Sequence, residues 1–288
     1  MPEEKNKIIA IQGGSGAFHE IAARHYFDSK IKVEPCETFE ELTSSISNNE
    51  VDYGIMAIEN TVGGSLIPNY VLLKESPVKI IGEEYLRIRQ NLVALKGQQI
   101  TDLKEVHSHY MAIAQCRKFF KNHPDIKLVE SSDTALSAAV IQEHNLENRG
   151  AISSDLAAEL YGLEILASGI ETNKRNYTRF LILAHEDLKE HNTKDCTKSS
   201  LCFSLPHKKG SLSQILSVLA FYELDLTKIQ SLPIIGKEFQ YFFYLDLSFD
   251  NYEKYQLSLS AIRPLVTDLQ ILGEYKYGIE SLEDIHNQ

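Results

Sequence analysis

Thr178 and Arg179 stand at the mouth of an apolar run, in the stretch NYTRFLIL that spans residues 176 to 183. The run from Phe180 to Leu183 reads as a buried strand. A hydroxyl and a guanidinium at its start admit two readings. One is a strand-end Thr beside a solvated Arg; the other is an anion site with a proton donor next to it. Arg is the cation best suited to a carboxylate, since its planar fork bonds two oxygens. A Thr hydroxyl is a weak acid, but its hydrogen bond strengthens as a leaving oxygen gains charge.

Other stretches carry polar groups at the ends of expected strands. In MAIENTVGGSL, Glu59 and Asn60 close a strand ahead of a loop with Thr61, Gly63, Gly64 and Ser65. A carboxylate and an amide there can orient a hydroxyl or a water; equally, Asn60 can shape the turn while Glu59 is solvated. In IAIQGGSGAF, Gly13, Gly14 and Gly16 follow a strand and open a helix. The dinucleotide fingerprint would need a third glycine where His19 stands, so NAD binding is disfavoured. Backbone N–H groups at such a turn suit an anion, and a tight strand-to-helix turn is the simpler alternative. His107 and His109 share a strand face, but no third ligand is evident, so no metal is expected; Ser108 is the expected cap of the next helix. Ser131, Ser132, Asp133 and Thr134 mark another helix start, where capping explains one of the four.

The elements that must position these groups follow a βαβ rhythm from residue 8 to 183, which predicts an α/β domain with a largely parallel sheet. A second run of elements, opened by VKIIGEEYLRIRQNLVAL, makes two lobes, with RFLIL returning to the first. Ligands in such folds bind at strand carboxyl ends or between lobes. Residues 185–198 are polar and aperiodic and read as a linker. Beyond them, the order βαββαβ is that of a ferredoxin-like module. The 288 residues suffice for about two domains. The net charge of −11 argues against nucleic acid as a partner. No apolar run is long enough to span a bilayer, and the N-terminus lacks a signal-peptide pattern. Four cysteines without C-x-x-C spacing suggest neither zinc nor disulfides, and point to a reduced, cytoplasmic protein.

Together these stretches resemble the prephenate dehydratase family. GGSGAF is similar to its first glycine turn, AIENTVGGS to its Pro-Ile-Glu-Asn loop, and SHYMAIAQC to its Ser-His-Pro-Gln stretch running into Ala-Gln-Cys. LAAELYGL, from Leu156 to Leu163, and NYTRF match its later motifs. The resemblance runs from about Ile8 to Tyr275. Departures include Ala57 for a usual Pro, Tyr110 and Met111 for Pro-Gln, GSLS at 210–213 for Gly-Ala-Leu, and QSLP at 230–233 for Glu-Ser-Arg-Pro.

The resemblance implies a two-lobed, periplasmic-binding-protein-like catalytic domain over residues 1–184, a linker over 185–198 and an ACT regulatory domain over 199–288. It implies decarboxylating dehydration of prephenate without metal or cofactor, in a form with no preceding chorismate mutase segment. The expected catalytic residues are Thr178, Arg179 and Glu59. Asn60, Ser65, Asn176, Gly14, Gly16 and Phe180 are expected to bind substrate. Phenylalanine is the expected effector, at Gly210, Ser211, Leu212, Gln230 and Ser231. A homodimer or homotetramer is expected from pairing of the ACT sheets. Arogenate dehydratase is the close rival, and a non-catalytic amino-acid or solute sensor the rival from another class.

Overall fold

The computed structural model describes residues 6–27, 30–188, 195–234, 236–278 and 281. The first sheet is begun by β1 (Lys7–Gln12), α1 (Phe18–Phe27), β2 (Ile31–Cys36), α2 (Phe39–Ser47), β3 (Tyr53–Asn60), β4 (Gly64–Ser65), α3 (Ile67–Glu75) and β5 (Val78–Arg87). The chain then builds a second sheet from β6 (Asn91–Ala94), β7 (Glu105–His109), α4 (Tyr110–Phe120), β8 (Lys127–Ser131), α5 (Thr134–Glu143), β9 (Arg149–Ser153), α6 (Asp155–Leu160) and β10 (Glu164–Ala167). It returns to the first sheet as β11 (Tyr177–His185). The remainder is β12 (Lys198–Ser204), α7 (Ser211–Phe221), β13 (Asp225–Pro233), β14 (Tyr241–Ser248), α8 (Tyr252–Ile262) and β15 (Thr267–Tyr275). Of the expected linker, residues 189–194 lie outside the described residues.

The stretch from Val78 to Leu95, which opens the second run of elements, is divided between two strands. β5 belongs to the first sheet and β6 to the second. Between them the backbone turns away from its neighbours: the Ile88 N–H donates to the Asn176 carbonyl and the Gln90 N–H to Glu171 Oε2. Periodicity cannot show this break, because both halves are apolar and extended.

β11 lies between β5 and β3, antiparallel to both. Its residues Thr178 to Ala184 are all buried, so it runs through the core between layers on both faces. This explains a continuous apolar run in place of alternation. Helices α1 and α2 supply opposite covers: Ala22 and Ala23 pack with Phe180 and Ile182, and Leu42 and Ile46 pack with Leu181 and Leu183.

The C-terminal βαββαβ segment does not form a detached sheet. The strand order is β13-β14-β12-β15-β5-β11-β3-β1-β2, so one sheet runs from the first lobe into this segment. The seam is β15 against β5, with Gly273 opposite Ile80. A Cβ at residue 273 would lie 2.1 Å from the Ile80 carbonyl oxygen, so the approach requires glycine. No helix among the described residues is long and apolar enough to cross a membrane.

Candidate active site

A cavity of about 680 Å³ opens between the two lobes. One wall carries Thr178 and Phe180 from β11, Asn60 from β3 and His19 from the first turn of α1; the facing wall carries His109 at the end of β7, Gln115 on α4 and Asp133 before α5. Among the described residues that line it there is no Lys or Arg, whereas Glu40 and Asp133 are present.

Strand alternation decides which groups reach this cleft. Thr178 is opposite Asn60 and Arg179 is opposite Glu59. The first pair faces the cleft. Asn60 Nδ2 donates to Thr178 Oγ1 at 2.9 Å and to Asn176 Oδ1 at 2.8 Å. Its Oδ1 accepts from the N–H groups of Val62 and Gly63, at 2.9 and 2.7 Å, which fixes the amide's orientation. Asn176 Nδ2 in turn donates to Gln115 Oε1 at 2.9 Å, so the chain of amides reaches across to the other lobe. Asn176 is 1% exposed and stands behind Asn60 as support. Gln115 lies inside the AQC stretch, yet no local pattern singles it out, because its partner is 61 residues away.

The Arg179–Glu59 pair, expected to act on substrate, faces the other way, off the cleft lining. Arg179 Nε donates to Glu83 at 2.7 Å, its Nη1 to Asp246, and its Nη2 to the Tyr275 hydroxyl at 3.0 Å. Lys198 bonds both oxygens of Glu83 at 2.9 Å. Glu59 accepts from Lys228 at 2.5 Å and lies 3.4 Å from Arg179. Burial opposes charge on Arg179, but Asp246 and then Glu83 hold its pKa well above the ordinary value. Burial likewise opposes charge on Asp246, yet Arg179 and Lys198 leave its carboxyl below the usual range. Lys198 is lowered by burial and by Arg179. Arg179 therefore joins β11 to the C-terminal segment and is engaged by carboxylates of this chain.

The glycine turn also departs from expectation. Gly14 and Gly16 do not line the cavity. A Cβ on Gly14 would strike Leu136, and one on Gly16 would come within 2.7 Å of the Ala157 backbone. Gly16 has φ of +85°, so a side chain there would also be strained. Its N–H already donates to Glu20 Oε2 at 2.7 Å, so an anion is supplied from within the chain. Ser154 caps α6 through the Ala157 N–H at 2.9 Å and donates its own proton to the Gly16 carbonyl at 2.5 Å. The turn is a contact between the lobes.

The remaining expected residues divide. Phe180 and Ser65 do line the cleft, though the Ser65 hydroxyl accepts from Lys228 at 2.9 Å. Ser108 is not the cap of α4: its hydroxyl donates to the Ile152 carbonyl, and His109 accepts from the Met111 N–H instead. Asp133 caps α5 through the Leu136 N–H at 2.8 Å. His19 sits 5.6 Å from the Phe39 ring and 5.0 Å from Phe180, and burial lowers its pKa to about 4. No cluster of metal-binding side chains occurs among the described residues. In the C-terminal segment, Gly210 is the left-handed residue before α7, while Gln230 and Ser231 lie on β13 at the end of the sheet order. Among the described residues no hydrogen bond joins these two groups within the chain.

The chain resembles known proteins over nearly all of its length. It is 36% identical to arogenate dehydratase 2 of Petunia hybrida, over 93% of this chain and 71% of that one. A solved prephenate dehydratase from Arthrobacter aurescens, in complex with L-Phe, superposes with a TM-score of 0.84 at 27% identity, covering 95% of this chain and 91% of that one. A quorum-quenching acylase, GqqA, superposes with a TM-score of 0.85 at 27% identity, covering 94% and 98%. The family model described as prephenate dehydratase matches residues 9–188, a span that closes just past the amide-held Thr178, and the chain belongs to the prephenate dehydratase family.

Proposed function

We propose that this chain converts prephenate to phenylpyruvate, carbon dioxide and water. One observation carries the reading: Thr178 Oγ1 accepts a hydrogen bond from Asn60 Nδ2 at 2.9 Å. With Asn60 fixed as the donor, the Thr178 proton is free to point into the cleft. The same bond makes the hydroxyl a better donor by drawing charge from its oxygen. In the reaction, the electrons of the bond to the ring carboxylate become a ring π bond as CO2 departs. The C4–O bond breaks with its electron pair, and the leaving oxygen takes one proton to depart as water. Thr178 supplies that hydrogen bond and proton, and is reprotonated from solvent. Aromatisation drives the step, so the protein must chiefly orient the dianion and assist the leaving group.

Acyl transfer, which the name of one structural neighbour indicates for that protein, would need a base to remove the Thr178 proton. Asn60 presents a donor to that hydroxyl instead. The cleft arrangement therefore favours dehydration. Arogenate undergoes the same step with an amino group on its side chain, and side-by-side rates on the two substrates decide between them.

The catalytic unit spans residues 1–184, the linker 185–198 and the regulatory ACT unit 199–288. Phenylalanine is the proposed effector, acting between ACT units of a homodimer or homotetramer, in keeping with the L-Phe complex of the Arthrobacter aurescens relative. Four buried free thiols fit a cytoplasmic setting. The test is phenylpyruvate formation from prephenate at neutral pH by the wild type and by Thr178→Ala. Loss in the variant with retained fold supports the reading, and an inert wild type overturns it.

A further inference from the structure

The substrate of the proposed reaction is a dianion, yet the cleft is lined by no cation among the described residues. Arg179, the guanidinium nearest in sequence to Thr178, is spent on Glu83 and Asp246. Something else must bond the substrate's oxygens. Two buried polar atoms on cleft-lining side chains lack any hydrogen-bond partner: Nε2 of His19 and Oε1 of Gln90. Buried polar atoms are almost always paired, so an unpaired one in a binding cleft marks where a ligand atom belongs. The two come from different elements. His19 is in the first turn of α1, between the rings of Phe39 and Phe180. Gln90 is 3% exposed and sits in the crossover between β5 and β6, where its backbone is tied to Glu171 and Ile170. In each residue the named side-chain atom is buried and unpaired.

We propose that His19 and Gln90 are positioning residues that hold the dianionic substrate as uncharged partners, His19 Nε2 bonding a carboxylate oxygen and Gln90 Oε1 accepting from the C4 hydroxyl. The inference rests on the dehydratase reading. His19 is suited to a neutral role, because its apolar surroundings and the positive end of α1 both disfavour an imidazolium. A neutral N–H donates to an anionic oxygen without a salt bridge. Such binding suits this reaction, because a cation clamped on the departing carboxylate would stabilise the ground state more than the transition state. Gln90 offers the carbonyl oxygen of its amide, an acceptor for the substrate's hydroxyl, from a backbone held by Glu171 and Ile170.

The experiment compares His19→Phe, His19→Asn and Gln90→Leu with wild type, measuring kcat and KM on prephenate together with melting temperature. Phe fits an aromatic pocket and Leu matches the shape of Gln, so neither variant loses packing. The expected result is a fall in kcat/KM of about tenfold per lost hydrogen bond, carried mainly by KM, with melting temperature unchanged or raised. His19→Asn, which keeps a donor, should recover part of the loss. Wild-type KM in both His19→Phe and Gln90→Leu overturns the inference, as does an activity loss that tracks a lowered melting temperature. Those outcomes leave the dehydratase reading intact if wild type forms phenylpyruvate. An inert wild type overturns both.

Discussion

Thr178 and Arg179 are neighbours in sequence but serve opposite faces of β11: one faces the cleft under Asn60, the other faces the C-terminal segment against Asp246. A strand turns successive side chains to opposite sides, so the two cannot share one substrate contact. The motif instead couples a hydroxyl facing the cleft to the anchor that holds its strand.

Asn60→Asp tests how the hydroxyl is oriented. An Asp at this position still accepts from the Val62 and Gly63 N–H groups, so the loop is retained. It offers no donor to Thr178, whose proton would turn toward the new carboxylate. Prephenate turnover should fall by about 10²-fold or more, the scale of general acid assistance, with little change in unfolding midpoint. Activity near wild type would mean that Thr178 does not depend on this amide.

Asp246→Ala should destabilise the protein by roughly 3–5 kcal/mol, because it leaves Arg179 buried beside an emptied site. The pair Arg179→Met with Asp246→Leu should recover a large part of that loss, since it removes both charges together. Denaturant unfolding of the singles and the double checks this. Equal losses in the double and in Asp246→Ala would refute it.

Gly16→Ala should cost roughly 1–3 kcal/mol, since the new methyl meets the Ala157 backbone where no side chain can yield. The positive φ adds strain. A melting curve indistinguishable from wild type would show that the lobes separate freely at this contact.

Acid stability should carry two signatures. The His19 pKa falls from 6.5 to about 4 on folding, so the unfolded chain binds its proton first. Stability is complete above pH 6.5 and declines as pH falls toward 4, by roughly 3 kcal/mol at 1.36 kcal/mol per pKa unit. His19→Phe should abolish that portion of the decline. Asp246 acts lower: its folded pKa is depressed, so its contribution is present above the ordinary Asp value of about 3.9 and is lost as pH falls through the folded value. Unfolding free energies from pH 7 to 4 in wild type and His19→Phe decide the first point; identical slopes would contradict it.

The alternation of strands and helices, the buried character of β11 and the order βαββαβ at the C-terminus were legible in the sequence, because periodicity and turn residues are local. So were the polar groups Thr178 and Asn60 at the ends of buried strands, which the fold brings together on one wall of the cleft. Tertiary structure decided the rest. Gly14 and Gly16 look like an anion turn until Leu136 and Ala157, more than 120 positions away, fill the space beside them. Arg179 looks like a substrate anchor until Glu83 and Asp246 arrive from two other strands. Gln115 and His19 carry no local signature, because their meaning lies in Asn176 and in a cleft whose walls come from different parts of the chain. Local sequence determines which elements form and which way each side chain points along them. Partners across the fold determine whether a charged group meets a ligand or another residue, because that depends on distances set only when the lobes and the C-terminal sheet pack together.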